Sequence, residues 1–204
     1  MTDSARHAYV SAMFERSIAL KRQVQATSID ELLAWTDICV DSLNGGGKIL
    51  FCGNGGSAGD AQHLAAELLV RLRSDVNRQS LPALALAQDT STITACANDF
   101  GFEHLFSRML EGLGRPGDVL IGITTSGRSA NVVNAFETAS QRGITALGLL
   151  GGDGEPARSV CGRAIVVPSH ETARIQECHI LLGHALIEMI EEALKAKNLL
   201  DLQA

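Results

Sequence analysis

Basic charge and aromatic rings are both scarce in this sequence. Lys and Arg number 17 against 23 Asp and Glu, a formal net charge of −6, and there is one Trp and one Tyr in 204 residues. Without a basic run or interleaved aromatics there is neither counter-charge for a phosphate backbone nor a stacking platform for bases, which excludes nucleic acid as a direct ligand. An anionic small molecule would have to be held by local dipoles and not by a general positive field. Long hydrophobic runs are missing too. The apolar stretches at 81–87 and 119–123 fall far short of the roughly 18 residues that span a bilayer, so no membrane association is expected. Residues 1–16 mix acids and bases without an apolar core and small-residue cleavage site, so a cytoplasmic location is expected. There is no CxxC pair. Cys39, Cys52, Cys96, Cys161 and Cys178 are odd in number, scattered and in mostly apolar surroundings, which predicts reduced, buried thiols.

What is present suits one α/β domain. At 46% hydrophobic and 20% charged, the chain can bury a substantial core once but not comfortably twice, so 1–204 is read as a single domain. Residues 4–25 and 29–44 read as two helices, with Asp30 near the start of the second and the Asn44-Gly-Gly-Gly run ending it. This pair belongs to no βαβ unit. Short apolar runs at 49–52, 83–87, 119–123, 146–150 and 164–167 then alternate with helical stretches, predicting five parallel strands covered on both faces. A last helix is expected over 172–197. No repeat or low-complexity segment interrupts this order, and 71–80 is the loosest stretch.

In a parallel sheet, ligands sit beyond the carboxyl ends of the strands. After the first strand comes Gly53-Asn54-Gly55-Gly56-Ser57, where Ser57 and Asp60 have the spacing of a capping box. After the third comes Thr124-Thr125-Ser126-Gly127-Arg128-Ser129, which leads into a helical pattern over 130–141. Free N–H groups at a helix start, the positive end of its dipole and hydroxyl donors bind phosphate without many cations. Either loop alone is ordinary turn chemistry. Two in one sheet point to an anionic ligand. The first loop does not fit the dinucleotide pattern GxGxxG.

The helix after the first loop carries His63 and Glu67 at i,i+4, a pair able to grip a metal or a substrate. The last helix carries Gln176 and His184, eight residues and about 80° apart around an ideal helix. Each is unremarkable in isolation, and His7, His104, His170, His179 and Glu177 are read as structural. Leu64, Leu68, Ile180, Leu181 and Leu182 flank the four polar residues, however, and predict close packing in which those groups need partners.

The segments GNGGSAGDAQHLAAEL (53–68), ANDFGFEHLFSR (97–108), GDVLIGITTSGRSANVV (117–133) and ARIQECHILLGH (173–184) resemble the phosphoheptose isomerases, a likeness running from about residue 8 to 195. The resemblance implies the three-layer SIS fold, a five-stranded parallel sheet flanked by helices, assembled as a homotetramer. It implies conversion of sedoheptulose 7-phosphate to D-glycero-D-manno-heptose 7-phosphate for bacterial surface glycans. Asn54, Gly55, Gly56, Glu67, Asn98, Asp99, Thr124, Thr125, Ser126, Ser129 and Gln176 match substrate-binding positions. His63, Glu67, Gln176 and His184 match zinc ligands, and Glu67 and His184 the catalytic pair. A glutamine is an unusual zinc ligand, so the zinc expectation rests on resemblance and not on spacing. Thr124 stands where the family usually has Ser, and Ala173 where some members have Asp. Residues 1–45 are expected to pack between subunits, with Arg71 and Arg73 as further contacts. Two rival classes share the fold: a non-catalytic protein that binds the replication initiator, and a phosphosugar sensor. Both are expected to lack the acid–base groups that Glu67 and His184 supply.

Overall fold

The computed structural model describes residues 1–86 and 89–201. The first and third strands are apolar at nearly every position, and both faces of each are buried, which is the signature of a central parallel strand. These are β1 (Ile49–Gly53) and β3 (Val119–Thr124). With β2 (Ala83–Ala85), β4 (Thr145–Gly151) and β5 (Arg163–Val167) they form one parallel sheet in the order β2-β1-β3-β4-β5. Ile49 pairs with Val119 and Gly53 with Ile123 across the central ladder. The expected strands are all present among the described residues; position 87 of the second lies outside them.

Alternation along the strands divides the core in two. Ile49, Phe51, Ile121 and Leu149 face α1 (Asp3–Asn44), α2 (Gly56–Leu69) and α7 (Thr172–Ala196). Leu50, Cys52, Leu120 and Leu150 face the other layer: α3 (Thr90–Asp99), α4 (Leu105–Leu113), α5 (Ala130–Gln141) and α6 (Ala157–Val160). A single 3-10 turn, Phe102–His104, links α3 to α4. The architecture is thus a three-layer α/β sandwich. Burying a leucine such as Leu64 or Leu68 contributes about 2 kcal/mol.

The expected N-terminal pair is one helix. α1 runs unbroken for 42 residues, because 26–29 contains neither Gly nor Pro and the Thr27 hydroxyl bonds back into the helix. Thr27 Oγ1 donates to Gln23 O at 3.1 Å, and Thr36 Oγ1 likewise to Leu32 O at 3.0 Å. Ser and Thr satisfied this way do not cap. The second half of α1 buries Trp35, Cys39 and Val40, while Tyr9, Val10 and Phe14 stay exposed in the first half. Trp35 Nε1 donates to Glu31, whose carboxylate also takes a two-pronged bond from Arg163 at 2.7 and 2.8 Å. The Arg163 bond holds the Glu31 carboxyl below its usual range, against partial burial.

No described helix is long and apolar enough to cross a membrane. All five cysteines are free thiols, four of them buried, and burial pushes Cys39 up to about 12. The 71–80 stretch, read as loose, is tied down. Arg73, expected to serve a neighbouring subunit, bonds Glu191 at 3.0 Å and Glu192 at 2.7 Å within its own chain.

Candidate active site

Strand order reverses between β1 and β3, and the loops following these two strands are the two glycine- and hydroxyl-rich segments. A reversal opens a crevice at the carboxyl ends of the strands. In the first loop the N-cap of α2 is Gly55, at φ 56°, with no side-chain cap. The helix therefore starts two residues before the expected Ser57, which is buried in its first turn. The S-x-x-D spacing here lies inside a helix and is not a capping box. An added Cβ at Gly56 would stand 2.4 Å from Gln176 Nε2, so a larger residue there must displace that carboxamide.

In the second loop three hydroxyls converge. Thr124 Oγ1 lies 3.0 Å from Ser129 Oγ and 3.4 Å from Ser126 Oγ. Ser129 is the N-cap of α5 and makes no side-chain cap bond, so its hydroxyl and the first N–H groups of α5 are available to an anion. Thr125 and Ser126 open onto a cavity of about 380 Å³ shared with Arg128, Gly152, His170 and Thr172. Asn131 locks the two loops together, exchanging amide bonds of 2.8 and 2.9 Å with Asn54. Sequence reasoning missed it, since a lone Asn in a first helical turn carries no signal. It also set aside His170, which the fold places at the rim of the second loop.

Seven to eleven residues along α2 from Gly56, the side-chain chemistry changes. His63 Nε2 lies 2.8 Å from His184 Nε2 and 3.5 Å from Glu67 Oε1. One imidazole must donate and the other accept at that separation. The helices meet closely here because Gly183 faces Leu64, whose Cδ1 would lie 2.6 Å from an added Cβ. His63 is 47% exposed and Glu67 19%, so a ligand can reach both. Asp60, one turn before His63, has a buried Oδ2 without a hydrogen-bond partner. Desolvation raises its carboxyl, opposed by charge on His63 and His184. Its i,i+3,i+7 spacing with His63 and Glu67 was the signal that the capping assignment obscured.

Among the described residues, no group of three or more His, Cys, Asp or Glu stands in metal-holding geometry. Tetrahedral zinc with bonds of about 2.0–2.1 Å keeps two imidazole nitrogens about 3.3 Å apart, so this pair would open by roughly half an ångström to share an ion. The donor types fit: two imidazoles, the Glu67 carboxylate and an unpartnered buried carboxylate oxygen beside them. The Gln176 carboxamide lies against Gly56. Asn98 and Asp99 bond each other at 2.7 Å at the exposed end of α3. A larger cavity, about 560 Å³, lies at the amino ends of β1, β3 and β4 around the Lys48–Asp118 ion pair. That is the wrong end of a parallel sheet for the ligand.

Residues 12–151 match the SIS domain family. A phosphoheptose isomerase of Chlorobaculum parvum is 50% identical over 90% of each chain. One from Paramagnetospirillum magneticum is 61% identical over 75% of this chain and 79% of its own. The solved structure of phosphoheptose isomerase GmhA from Neisseria gonorrhoeae superposes with a TM-score of 0.85 at 42% identity, covering 91% of this chain and 98% of its own. A five-stranded parallel sheet with anion loops at its switch point, and likeness of this extent, place the chain in the SIS domain family, among the phosphoheptose isomerases.

Proposed function

We infer that the protein isomerises sedoheptulose 7-phosphate to D-glycero-D-manno-heptose 7-phosphate through an enediol, for heptose and surface-glycan biosynthesis such as lipopolysaccharide core or capsule. The observation that carries this reading is the meeting of His63 and Glu67, on the helix that begins in the first anion loop, with His184 of α7. Thr124, Thr125, Ser126 and Ser129 hold the phosphate with the free N–H groups of α5. Asn54, Gly55, Gly56 and Gln176 line the sugar chain. Asn98 and Asp99 complete the substrate contacts from the exposed end of α3.

An aldose–ketose isomerisation moves one proton between adjacent carbons and another between their oxygens. The Glu67 carboxylate takes the proton from C1 and returns it to C2. His184 gives a proton to O2 as negative charge develops there and takes one from O1 as the aldehyde forms, so charge never accumulates on either oxygen. A zinc ion held by His63, Glu67, Gln176 and His184 would act as a Lewis acid toward the same oxygens. A ring nitrogen bound to metal cannot move a proton through the same lone pair, so the two roles of His184 exclude one another at any instant.

The exposed Tyr9, Val10 and Phe14 of α1 support assembly as a homotetramer in which α1 packs between chains, and an active monomer by light scattering would overturn this. The whole chain acts as one domain. Free, mostly buried thiols support a cytoplasmic location, which cell fractionation tests. The non-catalytic alternative is set aside because Glu67 and His184 are both present in the chain and its relatives are named phosphoheptose isomerases.

The deciding experiment incubates purified protein with sedoheptulose 7-phosphate and follows the aldose by NMR, beside Glu67→Gln and His184→Ala. Turnover in the parent and its loss in both variants is expected. A folded, zinc-loaded parent that never turns over refutes the inference.

A further inference from the structure

The C-terminal end of α2 has no cap of its own. The chain leaves at Val70 without a left-handed residue, and the last turn carries no basic side chain. The carbonyls of Glu67 and Leu68 are among those an α-helix leaves unpaired. Leu68 O takes one bond from Leu81 N at 3.1 Å, and Arg78 supplies further donors from ten and eleven residues away. Its Nη2 donates to Glu67 O and its Nη1 to Leu68 O, each at 2.9 Å, with a further Nη1 bond to Gln79 O. Its Nε donates at 2.8 Å to Glu191 Oε1, and both side chains of that ion pair are fully buried. Glu191 lies on α7 seven residues beyond His184, on the same face of the helix.

We propose that Arg78 and Glu191 are positioning residues for the isomerase reaction: together they fix the Glu67 end of α2 against the His184 helix and so set the base relative to the acid. This rests on the assignment of Glu67 as the base. The geometry is specific to a guanidinium. Four bonds in one plane reach three carbonyls and a carboxylate, which the compact ammonium of lysine cannot match. Glu191 is completed by Arg73 on its second oxygen at 3.0 Å, so removal of Arg78 leaves a paired carboxylate but frees the Glu67 turn. Neither Arg78 nor Glu191 touches the reacting atoms in the mechanism above. Their contribution is geometric, and a misplacement of about 1 Å costs roughly 100-fold in rate.

The test measures kcat and KM on sedoheptulose 7-phosphate for Arg78→Lys, Arg78→Ala and Glu191→Gln, beside Glu67→Gln, with circular dichroism and thermal melting to select folded protein. The expected result is a fall in kcat of about 10- to 100-fold for the Arg78 variants with KM little changed. Millimolar guanidinium, far below denaturing levels, is expected to restore part of kcat to Arg78→Ala and none to Glu67→Gln. If Arg78→Ala does not fold, Arg78→Lys carries the same split of kcat from KM. Folded Arg78→Lys with the parental kcat overturns the proposal while leaving the base assignment standing, provided Glu67→Gln is inactive. Turnover by Glu67→Gln overturns the base assignment itself.

Discussion

Lowering the pH should unfold this protein through a single histidine before most of its carboxylates are neutralised. His179 is completely buried on α7, with Nε2 donating to Leu150 O at 3.0 Å and Nδ1 lacking any partner. Burial pushes its pKa down from 6.5 to about 4, only partly offset by the Leu150 carbonyl. In the unfolded chain the same imidazole titrates near its ordinary value. Between pH 6.5 and pH 4 the unfolded state therefore binds a proton that the folded state refuses, and stability falls as pH falls across that window. The full difference, about two and a half units, corresponds to about 3 kcal/mol, a large part of a typical domain's stability. The assay is urea unfolding at fixed protein concentration from pH 7.5 to 4, comparing the parent with His179→Gln, whose amide can still donate to Leu150. Other groups titrate in both proteins and cancel in the comparison. The parent should lose about 3 kcal/mol more than the variant over the window, and parallel losses would refute the argument.

Gly56→Ala should leave the fold intact, since the added carbon meets only the flexible end of Gln176 at 2.4 Å. Displacing that carboxamide should cut kcat/KM at least tenfold, about 1.4 kcal/mol; a folded variant with parental kcat/KM would show that the carboxamide is idle. Thr124→Val removes a hydroxyl 3.0 Å from Ser129 Oγ. One lost bond to a charged phosphate, about 1.5–3 kcal/mol, should raise KM roughly 10- to 100-fold, and an unchanged KM would place the phosphate elsewhere. Metal analysis of protein purified without chelators should find zinc near one per subunit; full activity in metal-free protein would end the metal role.

The sheet was legible because its strands are apolar on both faces, a pattern surface segments do not imitate. Both anion loops were legible for a related reason: glycines and hydroxyls concentrated after apolar strands have few other uses. The misreadings share one cause, which is that local patterns have more than one solution. Residues 26–29 look like a helix boundary until Thr27 is seen bonding back to Gln23, and Ser57 with Asp60 look like a cap until the N-cap is found at Gly55. The 71–80 stretch looked loose because its anchor, Glu191, lies 113 residues from Arg78 in sequence. No local window contains both partners of such an ion pair.

The helix pair α2 and α7 does more than carry the proposed site residues. Gly56 meets Gln176, His63 meets His184 and Leu64 meets Gly183, so the offset between partners stays within one residue of 120 along the shared length. Two helices can keep such an offset only if they run in the same direction side by side, and Gly183 is what allows that approach beside the imidazoles. The amino end of α2, where its dipole is positive, opens from the first anion loop. The stretch from Asp60 to Glu67 faces the histidine of α7. Sliding α7 by one residue, about 1.5 Å, would break the Gln176 contact and the imidazole contact at once. The phosphate end and the proton-transfer end are therefore not independently adjustable. On the proposed assignment, a phosphate gripped at the loops would have its distance to Glu67 fixed by the helix register itself, so a carboxylate ordinary in sequence would become a positioned base once the register is set.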